Sequence, residues 1–222
     1  MTAPRSLMFS DAMVQRLLSG RKTQTRRRVQ GRLQKATKFE LVSEYGRRVW
    51  VCDVRSGHCP FTRLQGQQAT GDLIWVKEAW TLTQHGKPVY RADVHDQTGQ
   101  RWPSITPGDP HGEVEWRSTM RMPQWASRIT LRVRSYRVER LHDITPSDCM
   151  AEGAVELHDG AGETWHSYGG ASSTASGPPI YSFRLLWDSL YGEGAWARNE
   201  WVERIEFDVI QRNIAEVSRA GS

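Results

Sequence analysis

Gly20-Arg21-Lys22-Thr23-Gln24-Thr25-Arg26-Arg27-Arg28 is the stretch that decides how the chain is read. A helix stops here and an extended segment begins. Upstream, Met13, Val14, Leu17 and Leu18 lie on one helical face. Ser10 is placed to cap that helix, and Asp11 sits in its first turn, where a negative charge suits the dipole. Gly20 ends the helix, and Arg21 and Lys22 follow at its negative end. Thr23 and Thr25 are β-branched and predict extended chain. In such a run Thr23, Thr25 and Arg27 share one side, and Lys22, Gln24 and Arg26 the other. A bend near Gly20 is what would bring Lys22 and Thr25 to one pocket.

The same stretch holds five positive charges in the eight residues from Arg21 to Arg28. The whole chain has 30 Lys and Arg against 25 Asp and Glu, so without these five the two signs balance. A compact cationic loop beside hydroxyls suits an anion or a polarised carbonyl. A pI near 9.3 points the same way, toward nucleic acid, nucleotide or phosphate.

The remaining composition narrows the class. The 222 residues suffice for one domain with insertions or for two small ones. Ten Trp offset a hydrophobic content of only 38%. No apolar run is long enough to span a membrane, and no apolar segment follows the first residues as a secretory signal would require. Three Cys is odd and sparse, which predicts a reduced, cytoplasmic protein. Cys52, His58 and Cys59 lack a fourth ligand at zinc spacing, so no metal is expected.

Working outward, residues 31–70 read as polar and irregular, with a strand at Val49-Trp50-Val51. Leu73-Ile74-Trp75-Val76 reads as a buried strand, with Trp75 in the core and Glu78 and Trp80 just past it. Val89-Tyr90-Arg91 reads as another strand. Residues 94–124 are rich in Pro and Gly and read as an insertion. Ile129, Leu131 and Val133 alternate with polar residues, then parity flips to Tyr136 and Val138, the sign of a bulge. Seven Arg and one acid, Glu139, lie between Arg117 and Arg140. They form either a charge-guarded strand edge or a second phosphate-tracking surface. Thr145-Pro146-Ser147-Asp148 opens a short capped helix that ends at Gly153. Glu152 therefore falls at the negative end of that helix. Residues 155–179 read as a further insertion, most of it a mobile, lid-like loop. Ile180 to Tyr191 reads as a helix, Trp201 to Val209 as a strand, and 213–222 as a disordered tail.

The order of these pieces resembles the ASCH domain family. The matching strings are Gly20 to Arg27, Gly71 to Val76, Ile129 to Leu141, Ala151-Glu152-Gly153 and Val202 to Phe207. Trp75 to Trp80 and Met122 to Arg128 resemble the longer ASCH proteins of phages and prophages. The resemblance implies an α+β chain with a PUA-like small β-barrel, flanking short helices and long loop insertions, in a single domain over 1–212. Thr25 is similar to the family branch that hydrolyses the amide of N4-acetylcytidine. By that resemblance Lys22, Thr25 and Glu152 form the catalytic set, with Thr25 as hydroxyl, Lys22 as base and Glu152 as proton donor to the leaving amine. Arg27 and Arg26 then bind substrate, with Glu78 and with Trp80 as a stacking face. No cofactor is implied, and the partner is a modified nucleoside or a nucleic acid, not a membrane. The alternatives are an RNA- or DNA-binding module without catalysis, or a ribonuclease.

Overall fold

The computed structural model describes residues 4–44, 47–53, 61–63, 68–83, 85–93, 115–158, 164–168 and 174–220. In chain order the strands are β1 (Ser6–Met8), β2 (Gln24–Arg28), β3 (Phe39–Glu44), β4 (Arg47–Asp53), β5 (Phe61–Arg63), β6 (Leu73–Lys77) and β7 (Trp80–Leu82). They continue with β8 (Pro88–Tyr90), β9 (Thr130–Arg140), β10 (Val155–His158), β11 (Thr164–Ser167), β12 (Thr174–Ser176) and β13 (Trp201–Ile210). The helices are α1 (Asp11–Leu18), α2 (Pro146–Ala151), α3 (Pro179–Tyr191) and α4 (Ile214–Ala220). The architecture is mixed α+β. It falls into two compact units, each assembled from separate stretches of chain.

The first unit comprises Met1–Gly20, Leu73–Arg132 and Val209–Ser222. Here β1 runs parallel to β6, and β6 pairs antiparallel with the start of β9, Ile74 opposite Leu131. Ile74, Trp75 and Val76 are all buried, as a strand covered on both faces requires. Val14 and Leu17 of α1 are fully buried too, the apolar stripe that the helical spacing predicts. Gly20 follows at φ 72°, a left-handed stop that glycine adopts without steric cost. The tail is a correction. Ile214 and Val217 are buried one turn apart on α4, and Asn213 Oδ1 accepts from the Ala215 amide at 2.9 Å. Asn213 Nδ2 also donates to the carbonyls of Gln124, Trp125 and Ser127. One side chain thus starts the last helix and ties down a turn about 90 positions upstream.

The second unit comprises Arg21–Asp72 and Val133–Asp208. Its sheet runs β9–β13–β2, with β13 and β2 antiparallel and Thr25 opposite Ile205. Val133 and Val138 are both buried although five positions apart, so the parity flip read from the sequence is real. β6 pairs with only the first three residues of β9, Thr130 to Arg132, so Arg134, Arg137 and Arg140 lie beyond that pairing. Val29, Val138 and Trp201 form a core cluster against which Leu33, Phe39 and Tyr136 pack. Residues 31–70 are more regular than expected: β3, β4 and β5 make an antiparallel sheet, with Val49–Val51 inside β4. Residues 155–179 depart from the loop reading as well, because β10, β11 and β12 pair antiparallel. Tyr168, at the end of β11, is buried and donates its hydroxyl to the Cys149 carbonyl at 2.8 Å. Most of the 94–124 stretch, together with His58 and Cys59, lies outside the described residues.

Among the described residues the pairings leave open ends at β1 and β2 and close no barrel. No described helix is long and apolar enough to cross a membrane.

Candidate active site

The second unit gathers the chemistry that the basic stretch announces. Lys22 lies just before β2, and Thr23 anchors the approach by donating its amide to the Ala151 carbonyl at 2.9 Å. α2 is built for its place. Thr145 Oγ1 accepts from the Asp148 amide at 3.1 Å, and Asp148 Oδ2 accepts from the Thr145 amide at 3.0 Å. This reciprocal cap fixes the helix start, and Gly153 at φ 102° ends it. Glu152 is consequently delivered at the C-cap.

Lys22 Nζ donates to the Glu152 carbonyl at 2.7 Å and to its carboxylate Oε2 at 2.8 Å. The two residues are 130 positions apart, and each is 3% exposed. Arg26 Nη1 approaches the other carboxylate oxygen at 3.5 Å. Both Glu152 oxygens thus accept from cations, so the side chain stands as an acceptor that positions Lys22. A cation at a helix C-terminus is also the dipole's preference, and here Lys22 supplies it.

Arg26 is more committed than the sequence suggested. Its side chain is fully buried and shared by Glu139 at 2.7 Å, Asp148 at 3.0 Å and Glu152. Burial opposes the Arg26 charge, but these three carboxylates outweigh it and hold the guanidinium above its ordinary value. Arg204 joins from β13, donating to Asp148 Oδ1 at 2.9 Å and to Gln24 at 2.8 Å. It also pairs with Glu206. Burial raises the Asp148 carboxyl, yet the Thr145 hydrogen bonds and the Arg26 and Arg204 charges hold it below the usual carboxylate range. Three cations, Lys22, Arg26 and Arg204, therefore face four acids, Glu139, Asp148, Glu152 and Glu206. The cluster has no surplus positive charge with which to hold a phosphate.

The pleat sorts the rest of β2. Gln24 and Arg26 take one face; Thr25 and Arg27 take the other, opposite Ile205 and Glu203. Thr25 is buried at 3% and Arg27 half-buried. The structure brings together Lys22, Arg26 and Glu152, and sets Thr25 beside Arg27 on the strand's other face. Arg28 is bound to Glu200 at 2.6 Å. Beneath α2, burial pushes the Cys149 thiol up to about 12, which makes it a poor nucleophile.

Two expected substrate contacts belong to the first unit and are closed. Trp80 is 3% exposed, packed in a core cluster with Met122 and Ala126. Glu78 is fully buried, and Arg128 grips both its oxygens at 3.0 and 2.9 Å. Burial raises the Glu78 carboxyl even so. Arg128 also lies over the Tyr90 ring at 4.0 Å and pairs with Asp93. Trp75 is core, as its strand position implied. No group of three His, Cys, Asp or Glu side chains suited to a metal occurs among the described residues.

Glu139, Asp148, Arg204 and Gln24 were not singled out as site residues from the sequence. Glu139 carried a signal, as the lone acid in an arginine-rich run. Asp148 was legible only as a cap, and Arg204 only as the polar phase of a strand. A scan against protein-family models finds no match, and searches of curated proteins and of solved structures find none either.

Proposed function

We propose that the second unit is an amidohydrolase that removes the acyl group from an N-acylated cytidine-like nucleoside. The observation that carries this reading is the buried Lys22–Glu152 pair, formed between two residues 130 positions apart at the end of a purpose-built capped helix. The fold belongs to the same proposal: a PUA-like ASCH core, of which β2, β9 and β13 are the described strands. The cluster's three cations are outnumbered by its four acids, which favours a neutral nucleoside over a phosphorylated one.

In this reading Thr25 attacks the acyl carbon, and its hydroxyl proton passes to the Lys22–Glu152 pair. Lys22 then protonates the leaving amine as the C–N bond breaks. Water hydrolyses the acyl-threonine and restores the hydroxyl. Arg27, on the Thr25 face of β2, holds the developing oxyanion. Arg26 keeps Glu152 in place and does not touch substrate. Thr25 lies on the face of β2 away from Arg26 and Glu152, so in this mechanism a water bound with the substrate carries the proton between the Thr25 hydroxyl and Lys22.

The test is deacetylation of N4-acetylcytidine followed by chromatography. The native chain should form cytidine and acetate, and Lys22→Ala and Thr25→Ala should each lose roughly 10²-fold or more in rate. An inactive native chain, or a Lys22→Ala variant as fast as native, removes the proposal. An active Thr25→Ala variant keeps the pair and replaces Thr25 by water.

A further inference from the structure

The first unit carries an exposed tryptophan that nothing above uses. Trp125 is 60% exposed. A large aromatic ring open to water offers a face on which a flat ligand can stack. This one is also held rigidly. Trp125 sits on a single 3-10 turn between the buried Met122 and Ala126. Asn213 donates to the carbonyls on that turn at 2.8, 3.3 and 2.6 Å. Its ring is braced edge-on by Trp80, with centroids 5.8 Å apart. The platform is therefore preorganised, and a ligand that stacks on it need not order it first.

The charged residues from Arg117 to Ser127, Arg117 and Arg121, are both cations. Arg117 lies over the other ring, its guanidinium 5.1 Å from the Trp80 centroid. Its amide donates to the Trp80 carbonyl at 2.8 Å, so the backbone is fixed as well. Arg121 is exposed on the same connection, and no acid occurs from Arg117 to Ser127. An open aromatic face on the same connection as two exposed arginines suits a base and its neighbouring phosphates. Elsewhere among the described residues of the first unit, Glu78, Asp93 and Arg128 satisfy one another.

We infer that Trp125, with Arg117 and Arg121, is a stacking site for single-stranded nucleic acid. A base lies on the Trp125 ring, and the two arginines take the flanking phosphates. The site stands independently of any hydrolysis in the second unit.

The experiment is fluorescence anisotropy with a fluorescein-labelled dT12 oligonucleotide, run on the full chain at low and at raised salt. Native protein should bind, with affinity that falls as salt rises. Trp125→Ala should weaken binding roughly 10-fold, in line with the loss of one stacked base, while Trp125→Phe stays near native. Arg117→Gln with Arg121→Gln should reduce the slope of affinity against salt. Equal binding by Trp125→Ala, or no binding by the native chain at low salt, overturns the inference. So does concentration-dependent self-association that Trp125→Ala abolishes in a chain that does not bind the oligonucleotide, since the ring then serves a protein contact. Trp125→Phe keeps the aromatic brace on Trp80, so a fold defect in the alanine variant is recognised by comparison.

Discussion

Arg26 holds three carboxylates with one guanidinium, and its removal leaves Glu139, Asp148 and Glu152 around an empty place. A buried cation stripped from such a group costs more than an exposed pair ever contributes. Arg26→Ala should therefore destabilise the protein by about 3–5 kcal/mol in urea titration. A change within the range of an ordinary surface substitution would mean that the cluster is hydrated and loosely held. Asp148 gives the same network a pH dependence. Its carboxyl is held below its ordinary value of 3.8, so its contribution is fully present above that value. The contribution disappears as pH falls through the lowered value. Asp148→Asn should thus be less stable than native at neutral pH, and the gap should narrow as the solution is acidified below about 4. Parallel stability curves over that range would show that Asp148 does not titrate as the cluster requires.

At the scale of elements, α2 is the device that places Glu152. It has only six residues, too few to persist without its cap and its packing. Thr145→Ala removes one half of the reciprocal cap and should cost about 1 kcal/mol, with Thr145→Ser close to native. Deacylation should fall in the alanine variant beyond what the lost stability explains, because a frayed α2 releases Glu152 from Lys22. Unchanged turnover in Thr145→Ala would detach the cap from the site. The elements legible in the sequence were those with local signals. α1, α3 and the flanks of β9 have apolar spacing, and α2 has its Thr–Pro–Asp opening. β10 to β12 were missed because each is only three or four residues long and stabilised by its neighbours rather than by its own pattern. α4 was missed because it rests on two apolar residues and on Asn213, whose other bonds reach across the sequence.

At the scale of the molecule, three of the five cations in the basic segment that dominates the sequence are taken up by acids. Lys22 and Arg26 are buried among acids, and Arg28 is tied to Glu200. Net charge is a property of composition, whereas the destination of each charge depends on strand register and helix placement. Register set Arg204 opposite Arg26, and α2 then set Asp148 between them. That is why Lys22 and Glu152 were put together only by the resemblance to the ASCH strings, and the acids around Arg26 not at all. The same gap explains Trp80 and Trp125. A strand end looked open and proved closed, and the open ring lies just past the 94–124 stretch read as an insertion.

The central claim is that Lys22 and Glu152 act as one unit. The most direct measurement is a double-mutant cycle on N4-acetylcytidine deacylation, using native protein, Lys22→Ala, Glu152→Ala and the double variant. Residues that work through each other are strongly non-additive, so the double variant should be no slower than the slower single one. Losses that multiply, with the double variant slower by the product of both effects, would contradict the account.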